Sequence, residues 1–395
     1  MSAEAAEQQR HGSPPRQVRA ARAAVAAVFF LTGTVFATWA SRVPAVQERL
    51  GMSAGALALA LVGLSVGAVA ALPVVGGLVA RYGSRPVLLV GAVLYAGGLP
   101  VLAVAPNLPL LALALAAFAC GNTAVDVTMN TQGVLVERAY RRPVLGGFHA
   151  MFSLGGIVGA AAGSVAAGHG VGAGPHFLVT GLVAAVAFLA AMTILFPDPP
   201  DATDPGPALA LPKGGLWIPG LIAFCALMGE GVLNDWGAVY LHDAAGAGTG
   251  TAAAGFAVFS AGMVAGRLAA DRIRARTGTV RFMLACGLVA GLGAAVAVAV
   301  AAPASGLLGY ALLGLGLAAV VPVVFSHVAE QHPDRPGPSI AAVSAVGYGG
   351  FLAGPPVIGA LAEVGGLRVA MLIPVVLMVA MTLLVRRLDT TRARG

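Results

Sequence analysis

Two carboxylic acids stand where carboxylic acids are expensive. Asp126 lies well inside an apolar run at 108–135, and Glu230 sits near the middle of another at 216–241. Runs of that length span a bilayer as helices. A charged side chain at mid-membrane depth costs roughly 3 kcal/mol by insertion scales and more by others. Such an acid must face a cavity, pair, or hold a proton. Around Asp126, the residues Asn122, Met129, Asn130 and Gly133 recur at three- and four-residue spacing and form one helical stripe. That polar stripe is expected to face a central cavity; the plain alternative is a structural hydrogen bond between helices. Asn234 stands one turn beyond Glu230 on the same face. A carboxyl taken out of water holds a proton more readily, so either acid could load a proton on one side and release it on the other.

Other candidates have weaker claims. His149, in the inner third of a run at 144–167, could relay protons with Asp126; a packed histidine explains it as well. Arg42, at the outer end of the first run, could clamp an anionic substrate or close an outer gate, or simply snorkel to the interface. Trp236 reads as an interfacial anchor and Asp235 as a gate residue or a bland neighbour. His327 and Glu330 read as solvated helix ends. The expected proton-coupling set is Asp126, Glu230 and His149. The expected substrate-binding set is Asn122, Asp126, Asn130, Glu230, Asn234 and Arg42.

Chemistry of other kinds is not signalled. No glycine-rich run leads into Lys-Ser or Lys-Thr, so a phosphate loop is not expected. Neither a nucleophile–base pair nor His/Glu metal spacing is evident. Cys120, Cys225 and Cys286 all fall in apolar runs and read as small buried hydrophobes. An enzyme, a resident metal and a cofactor are therefore not expected.

The elements that hold these residues are membrane helices. The chain has 395 residues, 58% hydrophobic and 10% charged, more apolar surface than a soluble domain could hide. The runs are continuous, without the alternation of a barrel strand. Twelve spans are expected: 20–40, 54–80, 86–104, 108–135, 144–167 and 175–196, then a Pro/Asp-rich break from Pro197 to Lys213, then 216–241, 250–270, 280–301, 304–329, 338–362 and 366–386. The polar segment Met1–Arg22 before a long apolar run resembles a signal peptide, but the many spans that follow favour a first transmembrane helix. Of 23 Lys and Arg, only Arg42, Arg49 and Arg368 sort to one side. That asymmetry is the positive-inside pattern and predicts cytoplasmic termini. The formal charge of +7 thus reflects topology, and nucleic acid is not an expected partner.

The halves repeat. At an offset of 195, Gly121 falls on Gly316, Pro143 on Pro338, Gly155 on Gly350 and Gly159 on Gly354; Trp39 falls on Trp236 at 197. Six helices per half give a pseudo-two-fold along the membrane normal and a midplane site between the halves. The segment Gly76-Gly77-Leu78-Val79-Ala80-Arg81-Tyr82-Gly83-Ser84-Arg85 resembles the helix 2–3 signature of the major facilitator superfamily. It has Ala80 where the family has Asp; the second half keeps the acid as Asp271-Arg272. The resemblance covers the whole chain. It implies gating roles for Arg81, Gly83, Arg85, Asp271 and Arg272, and a cavity lined by helices 1, 4, 7 and 10. Arg42-Val43-Pro44 followed by Leu50-Gly51-Met52-Ser53, Met129-Asn130-Thr131-Gln132-Gly133, Phe148-His149-Ala150 and Asp235-Trp236 resemble a branch with rhizopine-transport-like and sugar-permease-like members, which implies small polar cargo. Gly146, Gly155, Gly159 and Gly163 have the spacing of the helix 5 signature of family antiporters, with Ala160 and Ser164 in place of its proline and final glycine.

The expectation is an all-α polytopic membrane protein with 12 transmembrane helices in two pseudo-symmetric six-helix bundles. Its divisions are a cytoplasmic tail at 1–19, bundles at 20–196 and 216–387, a cytoplasmic linker at 197–215 and a second tail at 388–395. It is expected to be a monomer in the cell membrane, moving a small polar solute by alternating access with protons as coupling ion. The alternative is a proton-antiport exporter of drug-like or amphipathic compounds, favoured by apolar, aromatic-poor walls.

Overall fold

The computed structural model describes residues 16–140, 144–197, 214–332 and 336–388. Every transmembrane element is a helix, because only internal hydrogen bonding satisfies the backbone in lipid. The first bundle holds α1 (Arg16–Leu50), α2 (Ala54–Tyr82), α3 (Ser84–Val104), α4 (Leu108–Tyr140), α5 (Leu145–Gly168) and α6 (Ala173–Met192). The second holds α7 (Trp217–Val239, continued by a π-helical turn at Tyr240–Ala244), α8 (Thr249–Thr277), α9 (Thr279–Val300), α10, α11 (Pro336–Gly365) and α12. Two of these are broken. α10 comprises Pro303–Leu317 and Val320–Gln331, and α12 comprises Leu367–Ala370 and Leu372–Val385. Twelve of the described segments are long and apolar enough to cross a membrane. We call the end where α1 begins and α12 finishes the terminal end, and the opposite one the distal end.

The repeat is visible in the packing. In the first bundle α1 packs on α5, α2 on α4, and α3 on both α4 and α6; in the second α7 packs on α11, α8 on α10, and α9 on both α10 and α12. Between bundles α5 meets α8, α2 meets α11 and α1 meets α7. The backbone repeats as well. Gly51 and Gly83 have φ of 59° and 79°, and Gly246 and Gly278, each 195 residues on, have 69° and 80°. These left-handed positions turn the chain where a side chain would strain it. Gly121 lies against the Gly91 carbonyl and Tyr95 amide of α3, and Gly316 against the Cys286 carbonyl and Ala290 amide of α9. Backbones approach this closely only where the residue is small. Gly155 and Gly159 do the same on α5, facing the carbonyls of Phe30 and Thr34, while Gly146 faces open space. The helix 5 glycines therefore build the α1–α5 seam.

Several boundaries move from expectation. α1 runs on through Arg42 and Pro44 to Leu50. A proline removes one backbone donor, and buried surroundings can absorb that loss. Arg42, far from snorkelling, is 5% exposed. Trp236 is fully buried, which rules out the interfacial anchor. The expected unbroken span at 304–329 is interrupted at Ala318–Ala319, just ahead of Pro322, which has no N–H to give the Ala318 carbonyl four residues back. The expected linker at 197–215 lies almost wholly outside the described residues, as do both expected tails save a few residues at their inner ends.

Candidate functional site

A cavity of about 400 Å³ lies between the bundles at mid-depth. α4 supplies Asn122, Thr123 and Asp126; α7 supplies Glu230, Asn234 and Asp235; α5 and α8 supply Ser153, Ser260 and Arg267; α11 supplies Tyr348. Phenylalanines fill much of the rest: Phe36, Phe118, Phe152, Phe256, Phe259 and Phe351. The walls are thus rich in aromatic rings, against the expectation from a chain only 6% aromatic; its few rings are concentrated here.

Asp126 sits deep in a 33-residue helix yet is solvent-exposed, because the cavity reaches it. Its carboxylate accepts a hydrogen bond from Asn130 Nδ2 at 3.3 Å, and the same amide donates to the Asp126 carbonyl at 2.9 Å. Asn130 therefore steadies Asp126 and is not itself part of the cavity wall. The stripe divides along its length. Asn122 and Asp126 face the cavity, whereas Met129 is 2% exposed in the core and Gly133 abuts Leu145 and Phe148 of α5. Nearer the terminal end, at Gly133, α5 covers that face of α4.

Across the cavity, Glu230 and Asp235 are half-buried, and Asn234 is 9% exposed with its Oδ1 unpartnered. Among the described residues Asp126, Glu230 and Asp235 have no basic group within 4.0 Å. Asp235 thus joins the cavity wall, which its place near a helix end had not suggested. Two expected members stand elsewhere. His149 is exposed, and its ring meets Phe29 edge-on at 5.2 Å, one turn before Ser153 and outside the cavity wall. No hydrogen bond joins it to Asp126. Arg42 lies near the distal end, where Nη1 and Nη2 donate to the carbonyls of Gly163 and Val171 at 3.4 and 2.6 Å.

Sequence reading missed Arg267, among the described residues the one Lys or Arg in the cavity wall. Its Nη1 donates to Ser153 Oγ at 2.7 Å, across the bundle interface, and its Nε reaches the Ala318 carbonyl at 3.4 Å. That is the carbonyl Pro322 cannot serve. The signal was present as a proline inside an apolar run, which frees a carbonyl that some donor must satisfy. We expect Arg267→Ala to lower stability by about 1–3 kcal/mol. The added change Pro322→Ala, which restores an N–H, should recover part of that loss; melting temperatures of the two variants check it.

The signature loops are ordered differently from a simple latch. Arg85 donates to the Met192 carbonyl at 2.8 Å, and Arg81 stacks over Tyr82 at 5.2 Å. Arg272 is exposed, and the Asp271 side chain lies outside the described residues. Arg274 pairs with Glu330 at 3.6 Å, joining the ends of α8 and α10.

At the distal end polar contacts tie the bundles together. Glu48 meets His242 at 3.5 Å, Ser164 donates to the Gly250 carbonyl at 2.7 Å, and Thr249 to the Ala167 carbonyl at 3.4 Å. Glu363 of α11 accepts from Ser53 Oγ and, at 2.6 Å, from the Gly55 amide at the start of α2. Among the described residues no such hydrogen bond or ion pair joins the bundles at the terminal end.

Comparison with known proteins places this architecture. The family model of the Major Facilitator Superfamily matches residues 24–337. The chain belongs to the major facilitator superfamily. Its members are transporters and not enzymes. Among superfamily relatives, the chain is 34% identical over 344 residues to an uncharacterised MFS-type transporter of Yersinia pestis, covering 87% of this chain and 89% of that one. It is 36% identical over 354 residues to an uncharacterised transporter of Sinorhizobium fredii, covering 88% and 93%. It is 30% identical over 353 residues to the membrane protein MosC of Rhizobium meliloti, covering 88% and 85%. A crystal structure of a mutant of the nucleoside transporter NupG superposes with a TM-score of 0.76 at 12% identity, covering 94% of this chain and 99% of that one. A bacterial homologue of the lysosomal transporter Spinster, inward-facing and unoccupied, superposes at 0.75 and 14% identity, covering 96% and 98%. At such identities the superfamily fold is what is shared.

Proposed function

We propose that the protein is a secondary active transporter that moves a small polar solute across the cell membrane by alternating access, coupled to protons. One observation carries this reading: Asp126 of one bundle and Glu230 and Asp235 of the other face a single cavity, and among the described residues none of the three has a basic group within 4.0 Å, although Arg267 stands in the same wall. Carboxyls so placed can each hold a proton, while Asn122, Asn234 and the serines offer hydrogen bonds to a solute. Taking the basic-rich side as cytoplasmic, both termini and the linker lie inside and the distal end faces out. The distal contacts then close the outer gate, and the conformation is inward-facing. The residue divisions 1–19, 20–196, 197–215, 216–387 and 388–395 follow this topology, and a single chain contains the whole cavity, so a monomer suffices.

The walls are not aromatic-poor, but they are largely apolar and their rings can grip apolar cargo, which supports a second reading, export of amphipathic compounds by proton antiport. Resistance profiling of a deletion strain separates the two: an importer alters nutrient use, an exporter alters drug sensitivity. For coupling, vesicles with an imposed pH gradient decide. Equal transport with and without the gradient would count against protons.

A further inference from the structure

Near the distal end Arg42 carries a charge that no acid answers. It is 5% exposed, and no carboxylate among the described residues lies within 4.0 Å of its guanidinium. Two of its nitrogens donate to backbone carbonyls, but Nε has no acceptor. Two neighbours share that lack. Trp39, three residues earlier and so on the same face of α1, is 1% exposed with Nε1 unpartnered, and its ring packs on Phe177 at 6.3 Å. His176, beside Phe177, is 9% exposed with both ring nitrogens unpartnered. Either tautomer of a neutral imidazole leaves one N–H seeking an acceptor. Gly163 joins the group: its carbonyl takes Arg42 Nη1, and its α-carbon faces Ser41 Oγ and His176.

The start of α6 adds to this. Its N-cap, Gly172, makes no side-chain cap; Pro175 has no N–H and the His176 amide bonds the Gly172 carbonyl, which leaves the amides of Ala173 and Gly174 to favour negative charge. A pocket of about 210 Å³ opens beside Arg42, walled in part by Ser41, Val171, Gly172 and the Glu48–His242 pair; Trp39 and His176 are not in its wall. Arg42 Nε, Trp39 Nε1 and the His176 ring nitrogens are buried without partners, and the acid of the pocket wall, Glu48, pairs with His242 and not with Arg42. Water can answer the donors; only an anion answers the charge as well.

We propose that Arg42, Trp39, His176 and the N-terminus of α6 form a binding site for a small monovalent anion, separate from the central cavity and joining α1 to α5 and α6. The anion is a halide or the carboxylate of a small solute. The test follows the melting temperature of the purified full chain as sodium chloride or sodium acetate replaces the sodium salt of the bulky sulfonate 4-morpholineethanesulfonate at constant ionic strength. A saturable rise of about 3 °C is expected, in chloride alone if the site takes halides and in acetate also if it takes carboxylates. Arg42→Gln should abolish the rise. Should that variant fail to fold, Trp39→Phe and His176→Phe serve, each removing one donor and raising the chloride concentration at half-effect. Identical melting in all three salts, or an unchanged chloride response in these variants, overturns the proposal.

Discussion

Glu230→Gln is expected to let the solute pass while the proton gradient no longer drives it. With one proton moved per solute, a gradient of two pH units supports accumulation of about a hundredfold. In proteoliposomes the variant should fall to about onefold, the level of simple equilibration, while gradient-independent exchange continues. The reason is chemical. An amide preserves the size and hydrogen-bonding reach of the carboxyl but cannot carry a proton through the cycle. Glu230 lies on the opposite wall from Asp126, in the other bundle, one turn from Asn234. Asp126→Asn should likewise reach the membrane and lose accumulation; its place on the wall is steadied by Asn130. The driving solute is found first by a thermal-shift screen, since a bound ligand stabilises by mass action. Normal accumulation in both variants would remove the proton-site reading.

Depth in the membrane was legible in the sequence; direction and neighbours were less so. Run length alone put Asp126 and Glu230 deep within long apolar helices, and the 195-residue offset matches the backbone turns at Gly83 and Gly278. What failed depended on which helix stands beside which at a given height. Met129 and Gly133 share a face with Asp126, yet Met129 is buried and α5 covers Gly133. His149 shares a face with Ser153, yet lies one turn past the cavity against Phe29. Trp236 looked like an anchor by type and position, but the end of α7 is enclosed by other helices and not by lipid headgroups. Arg267 hid among the basic residues counted for topology. Its role comes from Ala318, 51 residues away, and from Ser153 in the other bundle. No local pattern encodes such a meeting, although Pro322 marked the vacancy that it fills.

Glu363→Ala is expected to open the distal end. Glu363 acts as a cap supplied from across the bundle interface: its carboxylate takes the Ser53 hydroxyl and the Gly55 amide at the N-terminus of α2. Gly55 leaves no room for a side chain against Glu363, and one turn on, Gly359 packs as tightly on Ala58. A capping acceptor stabilises a helix start, and a negative charge there adds to it. These contacts exist only while α2 and α11 are together at this end, so their loss weakens the closed state and not the open one. The open-to-closed ratio should therefore rise. The readout is the labelling rate of Ser65→Cys, a cavity position, by a membrane-impermeant thiol reagent added outside intact cells. Cys120, Cys225 and Cys286 are first replaced by alanine. Glu363→Gln, which keeps an acceptor but loses the charge, should fall between wild type and alanine. If all three label at one rate, the Glu363 contact does not hold the gate.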